Sequence, residues 1–350
     1  MLPVNSSECR PLIAFTSVTL AGLVTIAASN GQRIERAEPH GANAVAAIAT
    51  ALQRQPLVAI GEIHRNQQVH DLIATVVRDA RFLPNGGDIV VEFGNRRYQG
   101  RMDRYIAGET VDRQSLVEVW RNTVNILVWD APVYERFFAV VRDVNQTRPT
   151  AKRLRVILAD PAIDWSTTHD RRTWEQIAAT RDEYSADVIE REVLARGRHA
   201  LLVFGSGRVQ REAAFDRYGG SGRHHSPNLA ALLDRDHPGG TYYITADWMN
   251  ADMASRVVRW KPPSLFDLKG TWLGAVHVGP PSHTPQLEEI ADALLYLAPP
   301  SALTTSTPVR EMYADTAYLR ELLRRDEIQG GANAAELREL SAQFVTGRTR

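Results

Sequence analysis

The chain has 350 residues, 44% of them hydrophobic and 23% charged, enough for one large α/β domain or two ordinary ones with a full core. Lys plus Arg and Asp plus Glu both number 41, so the net charge is zero with the histidines neutral. No basic excess therefore argues for a nucleic-acid partner or for binding to an anionic membrane surface.

The first segment with a clear physical reading is Leu12 to Ala28, which carries no charge, follows Arg10 and ends among the small residues Ala27, Ala28 and Ser29. It reads as a secretory signal peptide or, if uncleaved, an N-terminal anchor, and it predicts an exported protein, periplasmic or secreted. Residues 1–30 are set aside from the fold, leaving one domain over about 40–350. The single cysteine, Cys9, lies ahead of the apolar run, so a processed chain has no disulfide, thiol nucleophile or thiolate metal ligand.

Next comes Leu57-Val-Ala-Ile-Gly-Glu-Ile-His64, an apolar strand that delivers Glu62 and His64 to its carboxyl end. Open α/β sheets hold their ligands at that edge. A helix is predicted over 67–81, with Asn66 as its N-cap and His70 in an early turn near the same edge. A second strand, 89–93, ends beside Glu92. The interval 96–147, including a helix over 132–145 with Asp130 placed to cap it, reads as a helical insertion after the second strand. A third strand, 154–160, closes on Asp160. A long helix over 171–195 leads to a fourth strand, 200–205, and to Gly205-Ser-Gly-Arg208. The loop 217–227, with Gly219-Gly-Ser-Gly222, His224 and His225, is placed to cover a site. Strands over 241–247 and 272–278 bring Asp247 and His277, and a helix is predicted over 308–325. The Pro262-Pro263-Ser264 run reads as loop punctuation. Strands alternating with helices predict an α/β fold with a largely parallel central sheet flanked by helices.

Glu62 and His64, two apart, point to the same face of a regular strand. A neutral imidazole beside a carboxylate can take a proton from water, which is the general-base logic of hydrolases. The same residues can instead serve a divalent metal, with His64 and Glu92 as ligands and Asp160 as a third, although the spacing lacks a tight helical metal motif. Ser206 is not flanked in the Gly-x-Ser-x-Gly pattern. His70, Asp160, Arg208, Asp247 and His277 are candidate substrate-binding residues by position, against the ordinary alternatives of caps, salt bridges and core histidines.

Gly61-Glu62-Ile-His64, Val69-His70-Asp71, Val90-Val-Glu92-Phe, Tyr98-Gln99 and Met102-Asp-Arg-Tyr-Ile-Ala-Gly108 together resemble the superfamily of ChaN-like haem-binding proteins, erythromycin esterases and Tiki/TraB-type proteins. The resemblance is best over 57–108. It implies an α/β fold with helical insertions and a pocket centred on Glu62, His64 and Glu92. The esterase branch implies water activated by His64 with glutamate support, the Tiki branch a metal-dependent peptidase-like centre, and the ChaN branch non-covalent haem, for which Tyr98, Tyr134, Tyr218, His224 and His225 are axial candidates by chemistry. Many relatives carry histidine where this chain has Arg208, a permanent cation that weakens the metal reading and leaves a decayed site as an alternative. The leading expectation is a hydrolase acting on a small-molecule or peptide substrate. Its base is His64, oriented by Glu62 and Glu92, with Arg208 binding substrate charge. His64→Ala and Glu92→Gln should each abolish turnover with little effect on folding.

Overall fold

Burial on both faces explains why the strands read as unbroken apolar runs. Every residue of β2 (Leu57–Glu62) is buried. Val58 and Ile60 enter one apolar layer while Leu57 and Ala59 enter the other, as a pleat of period two requires. β3 (Gly87–Asn95), β4 (Leu154–Asp160) and β5 (Ala200–Gly205) divide their side chains between the same two layers. The computed structural model describes residues 36–211, 226–308, 312 and 315–346. The apolar segment 12–28, Cys9, Tyr218, Gly219 to Gly222, His224 and His225 lie outside the described residues. Among the described residues no helix is long and apolar enough to cross a membrane.

With β1 (Gly41–Asn43), β6 (Thr241–Thr245), β7 (Ser264–Asp267) and β8 (Ala293–Tyr296), these strands form one sheet of order β1-β7-β8-β6-β2-β5-β3-β4. Five pairings are parallel and the two involving β7 are antiparallel, so the sheet is largely parallel, as anticipated. Helices α1 (Ala44–Arg54), α2 (Gln67–Arg78), α3 (Gln99–Ala107), α4 (Arg113–Arg121) and α5 (Pro132–Thr147) cover one face. On the other lie α7 (Arg181–Glu192), which follows α6 (Arg171–Ala179), and the helices Leu229–Asp236 and Ala251–Arg256. The crossover from β2 to β3 uses α2 on the first face, and that from β5 to β6 uses Leu229–Asp236 on the second. The chain therefore diverges around β2, the position where doubly wound sheets open a crevice. A third apolar cluster joins Val124, Ile126, Ile163 and Trp165 to Leu322 and Ile328 of the helix Thr316–Gln329.

Several predicted boundaries move for local reasons. Asn66 does cap α2, accepting from Val69 N at 2.9 Å. Asp130 does not cap α5, whose N-cap is Ala131; its carboxylate instead meets Arg65 at 2.6 Å. The helix predicted over 171–195 breaks at Thr180 (φ −104°, ψ 15°); of the one predicted over 308–325, the structure describes the helix Thr316–Gln329 with its Asp315 cap, while 309–311, 313 and 314 lie outside the described residues. The strand predicted over 272–278 is a run of turns, with Ala275 N bonded to Thr271 O and Val276 N to Leu273 O. Gly274 there lies so close to the Leu268 carbonyl that a Cβ would stand 2.0 Å from it.

Candidate active site at the carboxyl edge of β2

The pleat sends the two glutamates to opposite faces. Glu62 follows Val58 and Ile60 towards α2 and α5, whereas Glu92 follows Val90 towards α7. Beneath the first face, His70 of α2 places Nε2 2.5 Å from Glu62 Oε2, and the Tyr134 hydroxyl of α5 stands 3.5 Å from Oε1. His64 Nδ1 is 3.1 Å from Oε1. Burial raises the pKa of Glu62, but the charge and hydrogen bond of His70 and the hydrogen bond of His64 outweigh it, and the net direction is downward. A carboxylate that stays ionised accepts only, so Nδ1 of His64 carries the proton in this pair. The Tyr134 phenol, pushed well above its ordinary value by burial and by Glu62, stays protonated and also accepts from Arg65 N at 2.9 Å.

His64 is the exposed member, with 41% of its side-chain surface open. Its ring packs edge-on against Trp129 at 4.6 Å and lies over Gly205, where a Cβ would stand 2.7 Å from Cε1. Nε2 makes no hydrogen bond with any described residue. Burial lowers the imidazole pKa, while the Glu62 hydrogen bond and the charges of Glu62 and Glu92 raise it, and the net direction is upward.

On the other face Glu92 is locked in a web of charge. Oε2 accepts from Gly205 N at 2.7 Å, and Oε1 lies 3.1 Å from Arg208 Nη1 and 3.2 Å from Arg181 Nη2. Burial pushes its pKa up; Arg208, Arg181, His64 and the Gly205 N–H more than offset this and hold it at about 2. Arg181 also grips Asp160 Oδ1 at 2.7 and 3.0 Å, and Asp160 Oδ2 accepts from Val124 N at 2.7 Å. Arg208 donates to Asp182 at 2.7 Å, to Ser185 Oγ at 3.0 Å and to the Arg181 carbonyl at 3.1 Å. Glu92 and Asp160 are thus held by protein partners, as are Nε and Nη2 of Arg208, while Arg208 Nη1 is buried beside Glu92 without a hydrogen-bond partner.

The other candidates divide. His70 is a buried support for Glu62 rather than a pocket lining. Asp247, two residues past β6, does reach the site, where it interacts with Ser206, His64 and Glu62. His277 sits in the turn region, not at a strand end, with Nδ1 2.6 Å from the Thr284 carbonyl. The pairing of His64 with Glu92 as metal ligands does not fit: the Glu92 oxygens are taken by Gly205, Arg181 and Arg208, and among the described residues no three His, Cys, Asp or Glu side chains are arranged to hold an ion. A cavity of about 910 Å³ lies to one side, lined by residues including Arg97, Tyr98, Arg101, Trp165 and His169, and does not include Glu62, His64 or Glu92.

Backbone strain gathers around His64. Of the four non-glycine residues with positive φ among the described residues, Arg65 (67°) and Leu127 (64°) are bonded to each other and Trp248 (74°) follows Asp247. Such conformations cost of order 1–3 kcal/mol each and persist where surrounding contacts impose them. Sequence reasoning missed Arg181. Its one signal is a cation at the first position of a helix, against the macrodipole and so in need of a carboxylate partner.

Residues 48–151 match the family described as "Haem-binding uptake, Tiki superfamily, ChaN". No curated protein sequence matches the chain. Among solved structures, a succinoglycan biosynthesis protein aligns at 8% identity with TM-score 0.54, covering 77% of this chain and 95% of its own. A mutant of the erythromycin esterase EreC in its open conformation aligns at 11% identity with TM-score 0.50, covering 75% and 94%. ChaN of Campylobacter jejuni, described with cofacially bound haem, aligns at 11% identity with TM-score 0.40, covering 72% and 91%. At these identities the likeness concerns the fold.

Proposed function

We propose that this chain, whose residues 48–151 match the family described as "Haem-binding uptake, Tiki superfamily, ChaN", is a metal-independent hydrolase of ester or peptide bonds, with His64 as the general base. One observation carries the reading: an exposed imidazole whose Nδ1 is held 3.1 Å from a buried carboxylate while Nε2 has no hydrogen-bond partner among the described residues. With Nδ1–H fixed on Glu62, the neutral ring presents its Nε2 lone pair outward. A water there gives its proton to Nε2 as its oxygen attacks the carbonyl carbon, and Glu62 stabilises the imidazolium that forms. His70 and Tyr134 keep Glu62 charged and in place. Purified wild type and His64→Ala, assayed on chromogenic esters and a peptide panel, test this. Turnover in the wild type that falls about 10²- to 10⁴-fold in the variant, with unchanged melting, is the expected result; equal rates remove His64 from the mechanism. Export through the 12–28 segment belongs to the same proposal, and fractionation of cells for the processed chain tests it.

A second reading, non-covalent haem binding, is favoured by the 910 Å³ cavity rather than by the His64 site. Tyr98 and His169 offer iron ligands there, with Arg97 and Arg101 beside them for carboxylates. Tyr134 is excluded as a ligand because its hydroxyl is buried against Arg65 and Glu62. A Soret shift on haem titration, lost in Tyr98→Phe, would support this reading, and an unchanged spectrum would end it.

A further inference from the structure

The peptide that follows His64 is held from several directions. Arg65 leaves the edge of β2 at φ 67°, a conformation that an L-residue keeps only where its surroundings impose it. Its N–H donates to the Tyr134 hydroxyl at 2.9 Å, and its carbonyl accepts from Ser306 N at 2.7 Å. Its guanidinium reaches into the helical insertion: Nε donates to the Val128 carbonyl at 3.3 Å, Nη2 donates to the Leu127 carbonyl, and Nη2 lies 2.6 Å from Asp130 Oδ1. Leu127 itself stands at φ 64°, so both ends of that bond are in the left-handed conformation.

The three residues gripped by this side chain bracket Trp129. The indole is 2% exposed, and it lies edge-on to the His64 ring at 4.6 Å and to Tyr134 at 5.1 Å. Arg65 therefore fixes both the main chain from which His64 projects and the wall on which its ring rests. The hydrogen bond from Nδ1 to Glu62 at 3.1 Å sets a distance, but a single bond leaves the plane of the ring free to turn about it; the packed indole sets the plane. A plain aliphatic side chain could cover the 127–130 segment equally well. Meeting two carbonyls and a carboxylate at once takes the planar, many-donor fork of a guanidinium.

We propose that Arg65 is a positioning residue for His64: by gripping residues 127, 128 and 130 from the peptide next to the imidazole, it holds the ring between Glu62 and Trp129 in the orientation from which Nε2 accepts a proton. Arg65 touches neither water nor substrate in this role and acts through His64 alone. The inference rests on the hydrolytic reading above.

The test uses the full chain as wild type, Arg65→Lys and Arg65→Met, with steady-state kinetics on a chromogenic ester, circular dichroism for the folded fraction, and NMR titration of the His64 ring without substrate. Lys keeps the charge beside Asp130 but not the fork; Met keeps only the aliphatic length. The expected result for Arg65→Met is a kcat about 10²-fold lower with KM little changed, the cost of a misplaced reacting group, and Arg65→Lys should recover part of that loss. The charges acting on His64 are those of Glu62, Glu92, Arg181 and Asp247, and both variants leave all four in place. Because the His64 pKa is raised through Glu62, a ring that spends less time on that carboxylate should titrate lower in both variants than in the wild type. Wild-type kcat in both variants overturns the positioning role. So does a loss of activity that only follows the folded fraction while the His64 midpoint stays where it was, since Arg65 would then serve stability alone. Absence of turnover in the wild type would instead sink the hydrolytic reading. The substrate-free titration still reads the hold of Arg65 on His64 in that case, and a midpoint common to all three proteins would refute it.

Discussion

Replacing Glu92 with Gln separates structure from catalysis in this site. The carboxylate is buried, accepts from Gly205 N and lies within 3.2 Å of two guanidiniums. Its pKa is held at about 2 against an ordinary 4.5. At about 1.4 kcal/mol for each pH unit, that difference corresponds to about 3 kcal/mol of folding stability. The folded-state value lies below the unfolded one, so the contribution is complete above about pH 4.5 and is lost as pH falls from there towards 2. Gln keeps the shape and can still accept from Gly205, and Arg181 and Arg208 retain Asp160 and Asp182. The loss should therefore stay near 3 kcal/mol rather than reach the upper range for a stranded buried charge. Urea unfolding followed by circular dichroism at pH 7 and pH 3 is the assay. The variant is expected to be about 3 kcal/mol less stable at pH 7, with the gap shrinking to about 1 kcal/mol at pH 3. A gap that is absent at pH 7, or the same at both pH values, refutes the reasoning. The sequence alone predicts a Glu92 variant that is inactive but well folded; the charge web predicts that it is weakened as well.

Three further outcomes follow from the same geometry. In the proposed mechanism the neutral form of His64 is the base, and its pKa is raised above 6.5 chiefly through Glu62, so kcat/KM should climb with pH through a midpoint above 6.5. Glu62→Gln should move that midpoint down, and an identical profile would dissociate the two residues. Gly205→Ala would place a methyl group 2.7 Å from His64 Cε1. The exposed ring can swing aside, so folding should survive while turnover is lost, and a variant as active as wild type would show that the ring position does not matter. Tyr134→Phe leaves Arg65 N without its acceptor and Glu62 without one neighbour, which should cost about 1–3 kcal/mol in a denaturant melt; no measurable loss would mean that water replaces the hydroxyl.

What the sequence reveals, and what it hides, follows from how far each interaction reaches along the chain. β2, β4 and β5 are found to the residue because strands buried on both faces are continuous apolar runs bounded by polar ends. β1, β7 and β8 have three or four residues each, too short for any periodicity, and β7 hides behind the prolines at 262 and 263. The 272–278 run is apolar enough for a strand, yet Leu273 is buried as one side of a turn. In the site, the Glu62–His64 pair is readable because both partners come from one strand end. Arg181 is not, since it reaches Glu92 from a different helix. Nor could the opposite placement of the two glutamates be read: the pleat fixes which residues of one strand share a face, but the face assigned to the next strand depends on register and packing.

That opposite placement divides the electrostatics of the site into two kinds. Glu92 is neutralised by guanidiniums, which carry their charge at every working pH, so its half of the site is electrostatically constant and acts as a scaffold for Gly205. Glu62 is held by His70 and by His64, an exposed imidazole whose charge changes near neutrality. Only this half can respond to the gain or loss of a single proton. His64 spans the division: it is bonded to Glu62, packed over Gly205 and within the field of Glu92. A proton arriving at Nε2 is therefore stabilised by two carboxylates, one of which is fixed in place by charges that cannot titrate away. For the general base proposed at His64, which would accept a proton from water and release it to a leaving group, the fixed web limits how far the neighbouring groups relax when the imidazolium forms. The cost of reorganisation is met in the folding of the protein rather than in each turnover.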